Sequence, residues 1–306
     1  MTPTLHRSPP RRALLSLTLA SLALVGLSAP LAQAQVFAAA HDSITTPGRS
    51  VQLGTKFERS RYGGLWRPDL RFKRVSYRFR GLSGTVRTDF DGMAIVRAPA
   101  PSAPGVYGFE AELASPSAVA RGNMWVLDPQ RPLVIVDIDG TISDLPEWQV
   151  PLIGGVAKAY AGSPELLRDL ASRYQIVYLT ARDDTFDPQT RAFLKRRGFP
   201  AGPVIYNDLG LWTTAERRQL KKEEHGTFKL RKIQELQALG LQVAFGIGNS
   251  ETDGWAYEQA GLPSYLRTEL AGSGASFRFS HYATLRARLR REGRLRTGLA
   301  GALGTP

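Results

Sequence analysis

From residue 35 onward, the pattern of apolar and polar residues changes once, at a proline-containing linker of residues 128–132. Before the linker, apolar residues alternate with polar ones, as Val75 and Tyr77 do with their neighbours, which is typical of half-buried strands. After it, short unbroken apolar runs alternate with segments of helical spacing, which predicts a parallel sheet with crossover helices. We therefore predict an all-β region of residues 35–128 followed by an α/β region of residues 129–280.

The all-β region is predicted to form a sandwich of two sheets. Residues 88–96 and 104–107 resemble the late hairpin of bacterial immunoglobulin-like domains. Arg74, Arg78 and Arg80 form a row on one strand, which we interpret as a solvated sheet face rather than a contact for an anionic surface. No pattern in this region indicates catalysis.

Four unbroken apolar runs in the α/β region predict buried strands, at residues 133–136, 176–179, 204–206 and 243–247. Capping, proline and glycine signals predict helices at residues 163–173, at 187–197, at 227–239 and up to residue 260. The carboxyl ends of parallel strands meet at one edge of a sheet, so the residues that follow these runs are expected to lie together.

The first apolar run ends in Asp137-Ile138-Asp139-Gly140-Thr141. Residues two apart in an extended chain point to the same side, so Asp137 and Asp139 can share one space. Their repulsion is relieved by a divalent cation between them, or by a proton on one carboxyl that then serves as a general acid. Gly140 permits a sharp turn and Thr141 can open the next one, and an ordinary Asp-Gly turn is the structural alternative.

Polar residues also follow the second and fourth runs. Thr180-Ala181-Arg182 offers a hydroxyl and backbone amides that can hold a phosphate oxygen, although Thr180 can also simply begin a loop. Asn249 and Asp253 supply oxygen atoms at the same predicted edge, and hard oxygen ligands suit Mg²⁺.

Several lysines could contribute an ammonium group to this edge of the sheet. Lys229 lies in the first turn of the helix predicted at residues 227–239, where the helix dipole disfavours a cation. A function would explain that cost, and an exposed lysine on an amphipathic helix is the alternative. Its competitors are Lys221, Lys222 and Lys232. Residues 217–222 are predicted to form a basic, irregular loop before this helix.

Taken together, these segments resemble the four motifs of the haloacid dehalogenase superfamily of phosphotransferases. Thr227-Phe228-Lys229, Asp253-Gly254-Trp255-Ala256-Tyr257 and Gly261-Leu262-Pro263 narrow the resemblance to the catalytic domain of lipins, which are Mg²⁺-dependent phosphatidate phosphatases. The resemblance covers about residues 133–266 and implies a Rossmann-like parallel sheet. Lipins usually have Ser-Ala-Arg where this chain has Thr180-Ala181-Arg182, which keeps the hydroxyl, and the β region replaces their N-terminal domain.

The resemblance also implies a role for each motif residue. Asp137 would attack phosphorus and carry the phosphoryl group, while Asp139 would protonate the leaving oxygen and then activate water. Thr180 would hold the transferring group, and Lys229 would neutralise charge between the nucleophile and the phosphate. The implied Mg²⁺ ligands are the side chains of Asp137, Asn249 and Asp253 and the carbonyl of Asp139. The remaining implied contacts to substrate are Gly140, Thr141, Ala181 and Arg182.

The implied activity is hydrolysis of a phosphate monoester, with conversion of phosphatidate to diacylglycerol as the first expectation. A phosphatase for soluble or nucleic-acid phosphomonoesters is the nearest alternative. A module that binds phosphatidate without hydrolysing it is another, and the intact Asp137 and Asp139 argue against it. Only 42 residues lie between Asp137 and Thr180 and 48 between Thr180 and Lys229, so the sequence predicts no folded cap over the site.

Residues 1–34 have the pattern of a secretory signal peptide. Three arginines precede an apolar run of residues 13–27, and Ala32-Gln33-Ala34 is a small-x-small cleavage site. We therefore expect cleavage after Ala34 and a secreted or periplasmic protein. The chain has no cysteine, which excludes disulfides and thiolate metal sites.

The formal net charge is +13, and it falls to +10 without the leader, whose charged side chains are three arginines. Such a surplus favours anionic partners. We expect an anionic phospholipid surface as the partner, expect no nucleic acid, and find no pattern that indicates a protein partner. The basic residues that would add to this attraction are Arg217, Arg218, Lys221, Lys222 and a helical tail of residues 281–306.

The apolar loop of residues 145–153, with Trp148, is expected either to seat at the lipid interface or to pack against the protein.

Overall fold

Three sheets organise the part of the chain that the structure describes. The computed structural model describes residues 36–59, 68–145, 157–207, 215–268 and 277–295, and of residues 183, 185 and 215–223 it describes the backbone alone. The predicted leader, most of the loop that contains Trp148 and the end of the basic tail lie outside the described residues. None of the helices within these ranges has the length and apolar content needed to cross a bilayer.

The all-β region contains eight strands in the described residues. They are β1 Val36–Ala40, β2 Ser43–Thr45, β3 Ser50–Arg59, β4 Arg74–Phe79, β5 Leu82–Arg87, β6 Met93–Pro99, β7 Gly105–Leu113 and β8 Ala118–Val126. β1, β3 and β6 form one sheet, and β2, β8, β7, β4 and β5 form the other. Both sheets line one core that includes Phe57, Val75, Phe109 and Met124, so the alternating apolar residues point inward. The predicted sandwich is confirmed, and its likeness to immunoglobulin domains stays a prediction.

The α/β region is built on a six-stranded sheet in which every neighbouring pair of strands is parallel. Its strands are β9 Leu133–Val136, β10 Gln175–Asp183, β11 Val204–Asn207, β12 Val243–Gly248, β13 Ser264–Arg267 and β14 Phe277–Phe279, in the order β11-β10-β9-β12-β13-β14. Its helices are α1 Ser163–Ala171, α2 Asp187–Arg196, α3 Ala215–Ala238, α4 Glu251–Gln259 and α5 Tyr282–Arg291. The predicted parallel sheet is confirmed, although the sequence pattern misses the short strands β13 and β14.

Helices cover both faces of this sheet. Val134 and Val136 of β9 point to one core, which α1, α2 and α5 close, while Leu133 and Ile135 point to the other, which α3 and α4 close. Because β9 is buried on both faces, all of its residues are apolar. The carboxyl edge of the sheet is therefore where polar residues can gather.

Helix α3 corrects two expectations. The prediction of an irregular loop at residues 217–222 is wrong, because α3 includes these residues without a break. This stretch is rich in arginine, lysine and glutamine, which are strong helix formers. A Cβ on Gly226 would lie 3.0 Å from the Trp255 ring, so this glycine permits close packing of α3 on α4 and does not end the helix. Lys229 consequently lies inside α3, so the prediction that it occupies the first turn of a helix is also wrong.

Residues 282–291 of the basic C-terminal segment form α5, and the apolar side of this helix belongs to the core. Tyr282 and Leu285 are buried there. Arg286, on the same helix, forms an ion pair with Asp169. Part of the positive charge of this segment is therefore neutralised within the protein.

Candidate active site

The turn after β9 is held tightly against the residue that follows β12. Asp137 is 4% exposed, and its Oδ2 accepts a hydrogen bond of 2.8 Å from the Thr141 hydroxyl. The turn needs Gly140, whose φ is +69° and whose added Cβ would lie 2.1 Å from Asn249 Nδ2. A larger residue than glycine would push the two motifs apart.

Lys229 joins two of the predicted acids. Its ammonium donates to Asp137 Oδ1 at 2.8 Å and also to Asp253 Oδ1. The lysine side chain is 5% exposed, so the three charged groups are buried together. Lys232, in contrast, pairs with Glu235 on the outer side of α3. Among the lysines of α3 whose side chains are described, the structure selects Lys229 for this edge.

The backbone holds the second oxygen of Asp253. Asp253 Oδ2 accepts hydrogen bonds from the amides of Asn249 and Ser250, at 3.0 Å each. The Ser250 hydroxyl accepts in return from the Asp253 amide at 3.1 Å, which makes a reciprocal cap of α4. Because the N-terminus of a helix favours negative charge, this geometry stabilises the Asp253 carboxylate.

The electrostatics of the site depend on burial and on Lys229. Burial raises the pKa of Asp137 to about 7, against the opposing effect of the Lys229 ammonium, and the carboxylates of Asp253 and Asp139 act in the same direction as burial. Burial also disfavours ionisation of Asp253, yet Lys229 and the capping amides hold the pKa of this carboxyl below its usual range. When both are ionised, the two bridged carboxylates outnumber the one ammonium, so the site keeps a negative charge that a cation can offset.

The oxygen atoms around this charge suit a hard divalent cation. Asp137, Asp253 and Asn249 offer side-chain oxygens, and Asp139 offers a backbone carbonyl in the same turn. In the described part of the chain no three acidic or histidine side chains converge on one point, and Lys229 Nζ lies between the two carboxylates. The residues fit Mg²⁺ by the type of their donors, with carboxylate, amide and carbonyl oxygens together.

Arg182 holds the second acid of the motif. Its Nε donates to Asp139 Oδ2 at 2.8 Å and its Nη2 to Asp139 Oδ1 at 2.7 Å, which is a two-point ion pair. The guanidinium is 2% exposed, and its Nη1 donates to Thr190 at 2.9 Å. Thr180 Oγ1 lies 3.4 Å from Asp139 Oδ2. The resemblance to lipins implies that Arg182 contacts substrate, and it does not reveal that the Arg182 donors are directed at Asp139 and Thr190.

The length of β10 explains why Thr180 and Arg182 both face Asp139. The strand extends to Asp183, so Thr180 does not begin a loop. Alternation along a strand points Thr180 and Arg182 to one side and the half-buried Ala181 to the other. A contact from Ala181 to substrate would therefore involve its backbone amide.

Two residues that no sequence pattern marks, one on β13 and one on α5, support the turn after β9. Arg267, at the end of β13, donates to the Gly140 carbonyl at 3.3 Å, and its Cζ lies 3.3 Å from the centre of the Tyr160 ring. The Tyr282 hydroxyl donates to the Thr141 carbonyl at 2.7 Å. These contacts join residues separated by 127 and 141 positions, so no local pattern could predict them.

The structure thus places every predicted site residue at the carboxyl edge of β9, β10 and β12. They are Asp137, Asp139, Gly140, Thr141, Thr180, Ala181, Arg182, Lys229, Asn249 and Asp253. Their chemical roles stay predictions. Trp148 and the side chains of Arg217, Arg218, Lys221 and Lys222 lie outside the described residues.

Two curated proteins are similar to about half of this chain. The first is "Phosphatidic acid phosphohydrolase 1" of Saccharomyces cerevisiae, with 30% identity over 174 residues, 48% of this chain and 19% of that protein. The second is "Nuclear elongation and deformation protein 1" of Schizosaccharomyces pombe, with 30% identity over 160 residues, 48% of this chain and 24% of that protein. The matched stretch is therefore about a fifth to a quarter of the length of these relatives.

The sequence model of one family matches this chain. The family is described as LNS2 (Lipin/Ned1/Smp2), and the match runs over residues 106–267. This stretch is more than half of the 306 residues and includes every predicted site residue. It confirms the resemblance to lipins that the motifs indicate. The chain belongs to the LNS2 (Lipin/Ned1/Smp2) family.

Proposed function

We propose that the protein is an Mg²⁺-dependent phosphatase that converts phosphatidate to diacylglycerol through an aspartyl-phosphate. The observation that carries this proposal is the buried carboxylate of Asp137, held by Lys229 on one oxygen and by Thr141 on the other, with Asp139 two residues away. The similarity to the Saccharomyces cerevisiae relative, which is named as a phosphatidic acid phosphohydrolase, supports the choice of substrate.

The first half of the reaction transfers the phosphoryl group to the protein. A carboxylate oxygen of Asp137 forms a bond to phosphorus while the bond from phosphorus to the leaving oxygen breaks. Asp139 enters this step protonated on one oxygen, with only the other oxygen accepting from Arg182, and gives its proton to the leaving oxygen. The diacylglycerol therefore leaves as a neutral alcohol. Thr180 and Lys229 donate hydrogen bonds to the phosphoryl oxygens, where negative charge is concentrated.

The second half of the reaction returns the free carboxylate. Asp139, now ionised, accepts a proton from a water molecule as the water oxygen attacks phosphorus, and the bond between phosphorus and Asp137 breaks. Arg182 keeps Asp139 in reach of both the leaving oxygen and the water. Bound Mg²⁺, held by the side chains of Asp137, Asn249 and Asp253 and the carbonyl of Asp139, would offset the negative charge of the phosphate.

The proposal includes the place where the enzyme works. The leader pattern of residues 1–34 supports export and cleavage after Ala34. A secreted or periplasmic protein meets water and Mg²⁺ but little ATP, which favours hydrolysis over phosphate transfer from a nucleotide. The absence of a predicted cap leaves room for a substrate that stays in a membrane.

Phosphate release from a panel of esters tests the proposal. The panel contains phosphatidate in mixed micelles, glycerol 3-phosphate, an aryl phosphate and a 5′-phosphorylated oligonucleotide, each with Mg²⁺ and with chelator. We expect the highest kcat/KM for phosphatidate, and loss of release in chelator. A higher value for a soluble ester or the oligonucleotide would show that phosphatidate is not the preferred substrate. Release in the presence of chelator would show that the reaction does not need Mg²⁺. Binding of phosphatidate vesicles without any release would support the non-catalytic alternative.

A further inference from the structure

The two residues between β1 and β2 join the β region to the α/β region. His41 Nε2 lies 2.7 Å from Asp184 Oδ2. Asp42 Oδ2 lies 3.0 Å from the Arg191 guanidinium and accepts a hydrogen bond of 2.9 Å from the Val204 amide. The side chains of Asp42 and Asp184 are 0% and 1% exposed. Two carboxylates are thus buried where the regions meet, and each has a partner on the other side.

This contact between the two regions favours one arrangement of them, because a buried charge without a partner is energetically costly inside a protein. Arg191 also pairs with Asp187, one turn earlier on α2, at 2.7 Å. Burial raises the pKa of Asp187 and the Asp42 carboxylate adds to this rise, while Arg191 and the nearby Tyr206 phenol act against it. Asp42 therefore completes a buried network of charges, and without it Arg191 would have one carboxylate instead of two.

The network continues to the candidate active site. Arg191 follows Thr190, whose hydroxyl accepts the hydrogen bond from Arg182. Asp184 lies two residues after Arg182. Arg182 in turn holds Asp139 through both of its carboxylate oxygens. The contacts of the β region thus fix both ends of the segment that aligns Asp139.

We propose that His41 and Asp42 are positioning residues, which hold residues 182–191 so that Arg182 keeps Asp139 in place for proton transfer. The β region would then be a working part of the catalytic unit rather than an attached module. The effect on catalysis rests on the proposed function, while the effect on residues 182–191 does not.

The chain offers a matched control at the opposite edge of the sheet. Gln175, the first residue of β10, accepts a hydrogen bond from the Asp128 amide and donates one to the Asp128 carbonyl, both at 2.9 Å. This contact also ties the linker from the β region to the sheet, but it lies at the amino end of β10. Loosening it tests whether any weakened joint lowers activity.

The first experiment measures kcat and KM for an aryl phosphate with Mg²⁺ in variants of the full chain. His41→Leu and Asp42→Asn should lower kcat about ten- to a hundredfold, because small misplacements of catalytic groups cost this much. KM should change less than about twofold, because ground-state binding is untouched. His41→Gln keeps a donor for Asp184 and should recover most of kcat. Gln175→Leu should lower the unfolding temperature and leave kcat unchanged.

A cycle with Asp184→Asn tests whether His41 acts through Asp184. His41→Leu should have little further effect on kcat in the Asp184→Asn background, since the contact is already weakened. Full additivity would overturn the proposed route. An unchanged kcat in folded His41→Leu, or an equal loss in Gln175→Leu, would overturn the proposal.

Hydrogen exchange tests the joint without relying on activity. The amides of residues 182–191 should exchange about tenfold faster in His41→Leu than in the wild type, and should be unaffected in Gln175→Leu. If the wild type hydrolyses no phosphate ester, the proposed function fails and this exchange still decides whether His41 holds the segment. Unchanged exchange would refute the joint, and faster exchange with unchanged kcat would refute positioning.

Discussion

At the scale of single residues, Lys229 determines the charge balance of the site. It is buried and lies between the carboxylates of Asp137 and Asp253. Burial disfavours its charge, but the two carboxylates raise its pKa above the usual value, so it remains an ammonium group. A lysine in this position stabilises two anions that would otherwise repel each other, and it leaves one negative charge for a metal ion to offset.

Replacing Lys229 should therefore remove both activity and stability. Lys229→Met fills a similar volume but leaves two buried carboxylates without a counter-charge, which should lower the free energy of unfolding by about 3 to 5 kcal/mol. Phosphate release should fall by at least about a hundredfold. Urea unfolding and a phosphate assay measure these effects, with Lys232→Met as the surface control. Activity in the first variant together with its loss in the second would show that Lys232, and not Lys229, acts at the site.

Asp137→Asn should separate catalysis from folding. The amide keeps the shape of the carboxyl but cannot form the aspartyl-phosphate, so turnover should be abolished while the fold is retained. The circular dichroism spectrum and the release of phosphate give the two measurements. Substantial residual release would contradict the role of Asp137 as nucleophile.

The same variant should also change how stability depends on pH. The pKa of Asp137 is raised from 3.8 to about 7 in the folded protein. The stability that protonated Asp137 gives the folded protein is therefore complete below about pH 4 and is lost as the pH rises through about 7. The asparagine of the Asp137→Asn variant does not titrate, so this variant does not lose that stability as the pH rises. In chelator, the unfolding temperature of the variant relative to the wild type should therefore rise from about pH 4 to pH 8. A constant difference across this range would contradict the raised pKa.

At the scale of elements, the N-terminus of α4 combines two tasks. Ser250 caps the helix by accepting from the Asp253 amide, and Asp253 completes the cap through its Oδ2 while its Oδ1 accepts from Lys229. Serine followed three residues later by an acid is a common pattern at the start of a helix, and the cap of α4 has it. The cap also orients the carboxylate toward the site, which the sequence alone does not require.

Ser250→Ala should weaken both tasks. Loss of the capping oxygen should lower the free energy of unfolding by about 1 kcal/mol. The less ordered Asp253 should raise the Mg²⁺ concentration needed for half-maximal activity. Urea unfolding and a Mg²⁺ titration provide the measurements, and Ser172→Ala, which loses a hydrogen bond to the Asp169 carbonyl far from the site, is the control. An equal change in Mg²⁺ dependence in both variants would contradict the link between cap and metal.

At the scale of the whole molecule, the surplus of positive charge is the feature most relevant to substrate. Some of it is neutralised internally, as in the pairs of Arg78 with Glu110 and of Arg286 with Asp169. The 40 lysines and arginines nevertheless exceed the 27 acidic residues by 13, so about a third of the cations have no acidic residue to match them in number. Each cation near an anionic bilayer contributes roughly 1 kcal/mol of attraction, which falls with salt.

The protein should therefore sediment more strongly with phosphatidate-containing vesicles than with neutral ones, and salt should weaken this binding. Trp148→Ala should reduce binding further if the loop inserts at the lipid interface. Trp255→Ala is the control, since Trp255 is 43% exposed on α4. Equal, salt-insensitive binding to both vesicle types would refute the electrostatic part. Full binding by the Trp148 variant would refute insertion.

The sequence by itself determined the features that depend on local patterns. The unbroken apolar runs specify strands buried on both faces, and the residues that follow them, including Asp137, Thr180 and Asn249, must then meet at one edge of a parallel sheet. Gly140 likewise indicates a sharp turn from the local sequence, and the turn there has the positive φ that glycine permits. These features follow from backbone geometry and from the spacing of apolar residues.

Only the tertiary structure decided which charged groups become partners. Lys229 rather than Lys232 faces Asp137 because α3 is one continuous helix whose buried side points at the sheet edge. Arg182 pairs with Asp139 across two neighbouring strands. His41 reaches Asp184 over 143 positions of sequence. The physical reason is that a charged residue gives no sign in the sequence of the partner it will need, and burial imposes that partner only after distant elements have packed.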